Sequence, residues 1–155
     1  MGFTEAAIYR HFKSKKEIIY LLIESVEANL LADLDIESYP EYGKLENVLF
    51  NHLSAVEMRR GISFQVIAEI ISLGDKKLNK RIFITIETYI NRLKEILVEE
   101  VRKGKLRSDL DIDAAAVTLF SVVQGLSNIW TLSNYKFDPQ EKFKPIISLL
   151  RSGMK

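Results

Sequence analysis

The chain has 155 residues, 47% apolar and 28% charged, with a formal net charge of +1 and no cysteine. That length suffices for one domain with a real core, and the absence of cysteine excludes disulfides and thiolate metal sites and fits a reducing cytoplasm. The longest unbroken apolar run, Ile18–Ile23, is far too short to span a bilayer, and no signal-peptide pattern opens the chain.

Strand signals are scarce and helical periodicity runs throughout, so the expected fold class is all-α. The opening stretch "GFTEAAIYRHFKSKKE", Gly2 to Glu17, holds Arg10, Lys13, Lys15 and Lys16 against Glu5 and Glu17. A basic head on a nearly neutral body points any polyanion at the head. Thr4 is a fitting N-cap for a short helix over Glu5–His11. Ser14 with Glu17 makes a capping box that starts a second helix. Ile19, Leu22, Ile23, Val26 and Leu30 form its apolar stripe, and it runs to about Asp33. "DIESYPEYG" breaks it at Pro40 and Gly43. The expected division is a head with its connecting helix over 1–35 and a body over 36–155.

The next helix is expected from about Lys44 to Arg60, with Leu45, Val48, Leu49, His52, Leu53 and Val56 on one stripe. Gly61 interrupts it. "ISFQVIAEIISLG" reads as a short apolar helix ending at Gly74. A long helix follows from about Lys76 to Lys103, with Phe83, Ile86, Ile90, Leu93, Leu97 and Val101 on one line and Gly104 as its C-cap.

"AAAVTLFSVVQGLSNIWTL" differs from the other segments. No charge occurs between Asp113 and Lys136, and a helix apolar all round is buried on more than one side. The second side is either another subunit, which makes the chain a homodimer through 113–132, or the centre of a monomer core. The last helix starts at Asp138–Pro139, an N-cap followed by Pro at N1. It carries Phe143, Ile146, Ile147 and Leu150, while Pro145 either kinks it or delays its start.

The head carries the clearest chemistry. A helix-turn-helix lays its second helix in the major groove while neighbouring side chains hold phosphates. Glu5, Ala6 and Ala7 keep the exposed face small, Ile8 and Phe12 face the core, and Tyr9, Arg10 and His11 project outward. Lys15 sits at a helix N-terminus, where the dipole attracts anions.

These residues closely resemble the recognition helix and following helix start of the tetracycline-repressor (TetR) family of transcription regulators. The matching positions are Gly2, Phe3, Thr4, Ile8–Tyr9, His11–Phe12 and Lys13–Ser14–Lys15. A second stretch, "GKLRSDLDIDAAA" from Gly104 to Ala116, is similar to the connection between two late helices of the family's ligand-binding domain. The resemblance implies a TetR-like helical bundle with a partial N-terminal helix-turn-helix. It implies that Thr4, Glu5, Ala6, Ala7, Tyr9, Arg10, His11 and Lys15 face operator DNA. It implies that helices after residue 44 bind an inducer, and that 113–132 and the C-terminal helix form a four-helix dimer interface. The family has two further helices before the recognition helix, so a native chain longer by roughly 30–40 residues is expected.

An inducer pocket needs mostly apolar walls and a few placed polar groups. His52, a titratable residue in an apolar stripe, is either a pocket residue or a hydrogen-bonded core histidine. Gln65, Tyr89, Arg92, Gln124, Asn128 and Trp130 are further pocket candidates, whereas Phe64, Phe83 and Phe120 read as plain core. The apolar bias points to a small hydrophobic or amphipathic inducer. Two histidines, carboxylates such as Glu99–Glu100 expected on solvated faces, and no Gly-rich loop or Ser/His/Asp pattern point away from an enzyme, a metal or a cofactor. Two readings follow: a ligand-responsive DNA-binding regulator, acting as a repressor in the cytoplasm, or a dimeric helical module that binds a small molecule or partner without touching DNA.

Overall fold

The computed structural model describes residues 15–32 and 43–155. Among these, the elements are α1 (Lys15–Ala32), α2 (Lys44–Met58), α3 (Ile62–Leu73), α4 (Lys76–Arg102), α5 (Ile112–Leu132) and α6 (Pro139–Met154), with no strand. The helix expected over Glu5–His11, the Ser14 cap and the break at Pro40 lie outside the described residues.

Aspartates start three of the helices. Asp75, Asp111 and Asp138 each accept hydrogen bonds from backbone N–H groups of the first turn that follows, donors that have no partner inside the helix. Glycines in left-handed conformation close others: Gly61 stands between α2 and α3, Gly74 ends α3 and Gly104 follows α4. Gly61 matters most. Its φ is 68°, and a Cβ there would stand 2.8 Å from Thr131 Oγ1 at the end of α5. Gly61→Ala is therefore expected to cost about 1–3 kcal/mol, read as a lower urea midpoint at unchanged m-value.

The bundle is layered around α4. The helix α1 packs on α3 and α4, while α5 packs on α2, α3, α4 and α6. The α1 stripe is as the periodicity predicts, with Ile19, Ile23, Val26 and Leu30 buried. The whole α2 stripe is buried as well, His52 included.

On α4 the expected line holds at Leu93 and Leu97 but not before them: Leu78, Ile82, Thr85, Tyr89 and Ile96 are the other buried residues of the inward line, and Phe83 is 60% exposed. Both lines obey the 3.6-residue period; the neighbours of α4 decide between them, and Ile86 and Ile90 pack only at the core's edge.

The acidic pair Glu99–Glu100 also divides. Glu99 remains at the surface, where hydrogen bonds from Lys103 and Lys44 pull its pKa down to about 2. Glu100 is buried at 4% exposure. Arg151 of α6 reaches its Oε2 with Nη2 at 2.6 Å and Glu46 Oε1 of α2 with Nη1 at 3.1 Å. One guanidinium thus ties three helices together.

The helix α5 is long and apolar enough to cross a membrane by length and composition. In the fold one side of it packs on α2, α3, α4 and α6, with Ala116, Leu119, Phe120, Val123, Leu126, Ser127 and Trp130 buried, while the other side is exposed. The helix α6 begins at Pro139 and continues through Pro145 to Met154. Pro145 therefore does not delay the start; it removes one hydrogen bond inside an established helix.

Candidate functional site

The DNA-facing candidates Thr4, Glu5, Ala6, Ala7, Tyr9, Arg10 and His11 lie outside the described residues, and Lys15 is the first residue of α1. The candidates for the ligand pocket separate into three places. His52 (2% exposed) and Tyr89 (0%) meet in the core. Their ring centroids are 4.8 Å apart, and Phe64 and Phe120 stand 6.0 and 6.5 Å from the His52 ring. Trp130 is buried near the end of α5, edge-on to Tyr135 at 4.8 Å, with Arg60 over the face of the Tyr135 ring. Gln65 and Asn128 are exposed, Gln124 is half-buried, and Arg92 pairs with Glu95 along its own helix. The structure therefore joins His52 with Tyr89 but does not gather the set.

Three concavities open elsewhere, lined by none of these residues. The most apolar lies between α3 and α4 and has a volume of about 570 Å³, in the range of small-molecule sites. Ile67 and Ile71 form one wall, Ile82, Phe83 and Ile86 the other, and Asn79 and Lys80 close one end. Sequence reasoning assigned Phe83 to the core and missed the rest. A signal was present: the line that carries Phe83 and Ile86 runs back one turn to Lys80 and another to Lys76. A stripe that begins with two lysines is poorly suited to a core.

Immediately beside this groove, Arg81 ties α4 to α1. Its Nε and Nη2 donate to the two Glu27 carboxylate oxygens at 2.7 and 2.6 Å. Thr85 Oγ1 also donates to Glu27 Oε1, at 3.5 Å. The Glu27 hydrogen bonds hold the guanidinium above its ordinary pKa. Such a fork fixes geometry as well as energy. A shift of α4 at the groove cannot leave α1 in place without breaking it.

The helix α5 carries an uncharged stripe. Val117, Ser121, Asn128, Ile129 and Leu132 are exposed along one face, with Ile129 at 60% and Leu132 at 83%. Leu149 of the neighbouring α6 adds to it at 73%. This face carries no charge and several exposed large aliphatic side chains. Among the described residues no cluster of three or more potential metal ligands occurs.

Comparison with known proteins adds to this geometry. The family model for the C-terminal region of YsiA-like proteins matches residues 15–153. The nucleoid occlusion factor SlmA of Vibrio vulnificus (strain YJ016) is 30% identical over 159 residues, covering 100% of this chain and 81% of the relative. SlmA of Shewanella pealeana is 32% identical over 150 residues, covering 92% and 74%. The fold is shared with the TetR family transcriptional regulator PfmR of Thermus thermophilus, at TM-score 0.72 and 23% identity over 99% of this chain and 84% of that one. It is shared also with the transcriptional regulator FadR of Bacillus subtilis, solved in complex with stearoyl-CoA, at TM-score 0.67 and 24% identity over 99% and 84%.

Proposed function

The chain belongs to the TetR family, and on that premise we propose that it is a ligand-responsive transcriptional repressor rather than an enzyme. The observation that carries the reading is the adjacency of the α3–α4 groove to the Arg81–Glu27 tie. A small hydrophobic or amphipathic inducer entering the groove shifts α4, and the tie passes the shift to α1. That helix begins at Lys15, directly after the stretch whose Thr4, Glu5, Ala6, Ala7, Tyr9, Arg10 and His11 match the family's DNA-facing positions.

The working unit is a homodimer through the uncharged face of α5 together with α6. Two recognition helices must then sit about 34–36 Å apart to reach successive major grooves. An inducer that changes this spacing releases operator DNA, and DNA in turn weakens the inducer by the same factor.

Arg81→Ala tests the coupling. The pair is partly exposed, at 36% for Arg81 and 23% for Glu27, so its loss is expected to cost only about 1 kcal/mol of stability. Inducer should still bind, while its effect on DNA affinity should fall several-fold. Fluorescence anisotropy with and without inducer reads this directly, and an undiminished inducer response would remove the tie from the pathway. The DNA-binding half is tested by selecting duplexes from a random pool. Affinity for the selected site should fall steeply with salt, as phosphate contacts require; a salt-independent affinity, or no selected site, rejects the repressor.

The relatives named nucleoid occlusion factors support a second reading, in which the DNA-bound dimer serves in nucleoid occlusion instead of at a promoter. Mapping bound sites along the chromosome separates the two. Sites confined to promoters favour the repressor, and sites spread over the chromosome favour the second reading.

A further inference from the structure

The groove between α3 and α4 has a polarity of its own, and we infer from it the class of ligand: an amphipathic anion, with an alkyl chain along the groove and a carboxylate or phosphate head at the Lys76–Lys80 end. The walls are aliphatic and aromatic, and two of the side chains that form them lie largely in water. Ile71 is 63% exposed and Phe83 60%, so a chain laid between them removes apolar surface from solvent on both sides. From residue 76 to residue 86 the α4 axis rises about 15 Å, the length of a medium alkyl chain.

The head end is cationic. Lys80 lines the groove, and Lys76 stands one turn earlier on the same face. Among the described residues neither has a carboxylate partner, and no acidic residue lines the groove. Asp75, next to Lys76 in sequence, is occupied in capping α4, and Glu69 and Glu87, near wall residues in sequence, do not line the groove.

The Asn79 Oδ1 atom, between the lysines and the apolar walls, is buried without a hydrogen-bond partner among the described residues. A buried acceptor without a donor is costly, so a hydroxyl or amide N–H near the ligand's head would add affinity. A cationic amphiphile would bring like charge to the lysines, and a purely apolar ligand would leave both the lysines and Asn79 unanswered.

The assignment rests on the ligand-responsive reading for its consequence, but binding itself is measurable without DNA. Dodecanoate, kept below its micelle concentration, would be titrated calorimetrically into the protein, with dodecyl phosphate and dodecyltrimethylammonium alongside. Both anions are expected to bind, and the cation at least tenfold more weakly. The tighter of the two anions identifies the preferred head. Combined Lys76→Glu and Lys80→Glu should weaken dodecanoate binding at least tenfold. Phe83→Ser, at a position exposed enough to leave the fold intact, should weaken all three probes. Equal binding of anions and cation, unchanged dodecanoate affinity in both variants, or no binding of either anion overturns the assignment. Salt-sensitive DNA binding by the same preparation is scored separately. DNA binding without amphiphile binding removes only the groove assignment; amphiphile binding without DNA binding removes only the repressor.

Discussion

Replacing Arg151 with alanine is expected to destabilise the protein by about 3–5 kcal/mol, the cost of leaving a buried charge without its partner. The guanidinium holds Glu46 and Glu100 at once, and Glu100 has almost no access to water. Without Arg151, two carboxylates from α2 and α4 face each other, and Lys105, 3.8 Å from Glu100 and half exposed, cannot replace the lost contact. The measurement is urea unfolding followed by circular dichroism, in which the midpoint should move sharply down at nearly unchanged slope. The decisive control replaces Arg151, Glu46 and Glu100 together by methionine. Apolar side chains of similar length remove the stranded charges, so most of the lost stability should return. A single variant as stable as the parent would mean that the triad is solvated and carries no weight.

Ile129→Glu is expected to convert the proposed dimer into a folded monomer, raising the dissociation constant at least about 100-fold, because like charges brought together across an interface cost several kcal/mol. Ile129 is 60% exposed and shares a face with Val117 and Leu132, so the glutamate can reach water without entering the core of its own chain. In a two-fold interface each substitution occurs twice, and two glutamates would enter the seam together. Sedimentation velocity gives the mass, and far-UV circular dichroism checks that the helices persist. Operator affinity should fall in parallel, since a monomer contacts one half-site. A parent that is already monomeric, or an Ile129→Glu protein that remains a dimer, would place the interface elsewhere.

The helical plan was open to inspection in the residue order. The ends of α2, α3, α4 and α5 and the start of α6 fall within two residues of expectation, because their signals are local: Asp at N-caps, Gly in left-handed conformation, and Pro at the first turn of α6. The α1 and α2 stripes were equally clear, since each of those helices has one strongly apolar face.

Position within the bundle was less accessible. His52 reads in the sequence as a titratable residue in an apolar stripe, and its meeting with Tyr89, Phe64 and Phe120 depends on how α2, α3, α4 and α5 cross. Glu100 looked like its neighbour Glu99, yet one step of about 100° around the helix carried it inward to Arg151. Arg81 and Glu27 are 54 residues apart in sequence, and neither carries a local mark of the other.

What the sequence determined by itself was the all-α class, the number and extent of the body helices, and the family, through short motifs whose physics is local. What only the tertiary structure decided was which of two legal stripes on α4 turns inward. That choice exposes Phe83, opens the groove beside Lys80 and brings Arg81 to Glu27. A helix with apolar residues on two faces satisfies its own periodicity either way. Only the surfaces of α1, α3 and α5 packed around it make one rotation lower in free energy than the other.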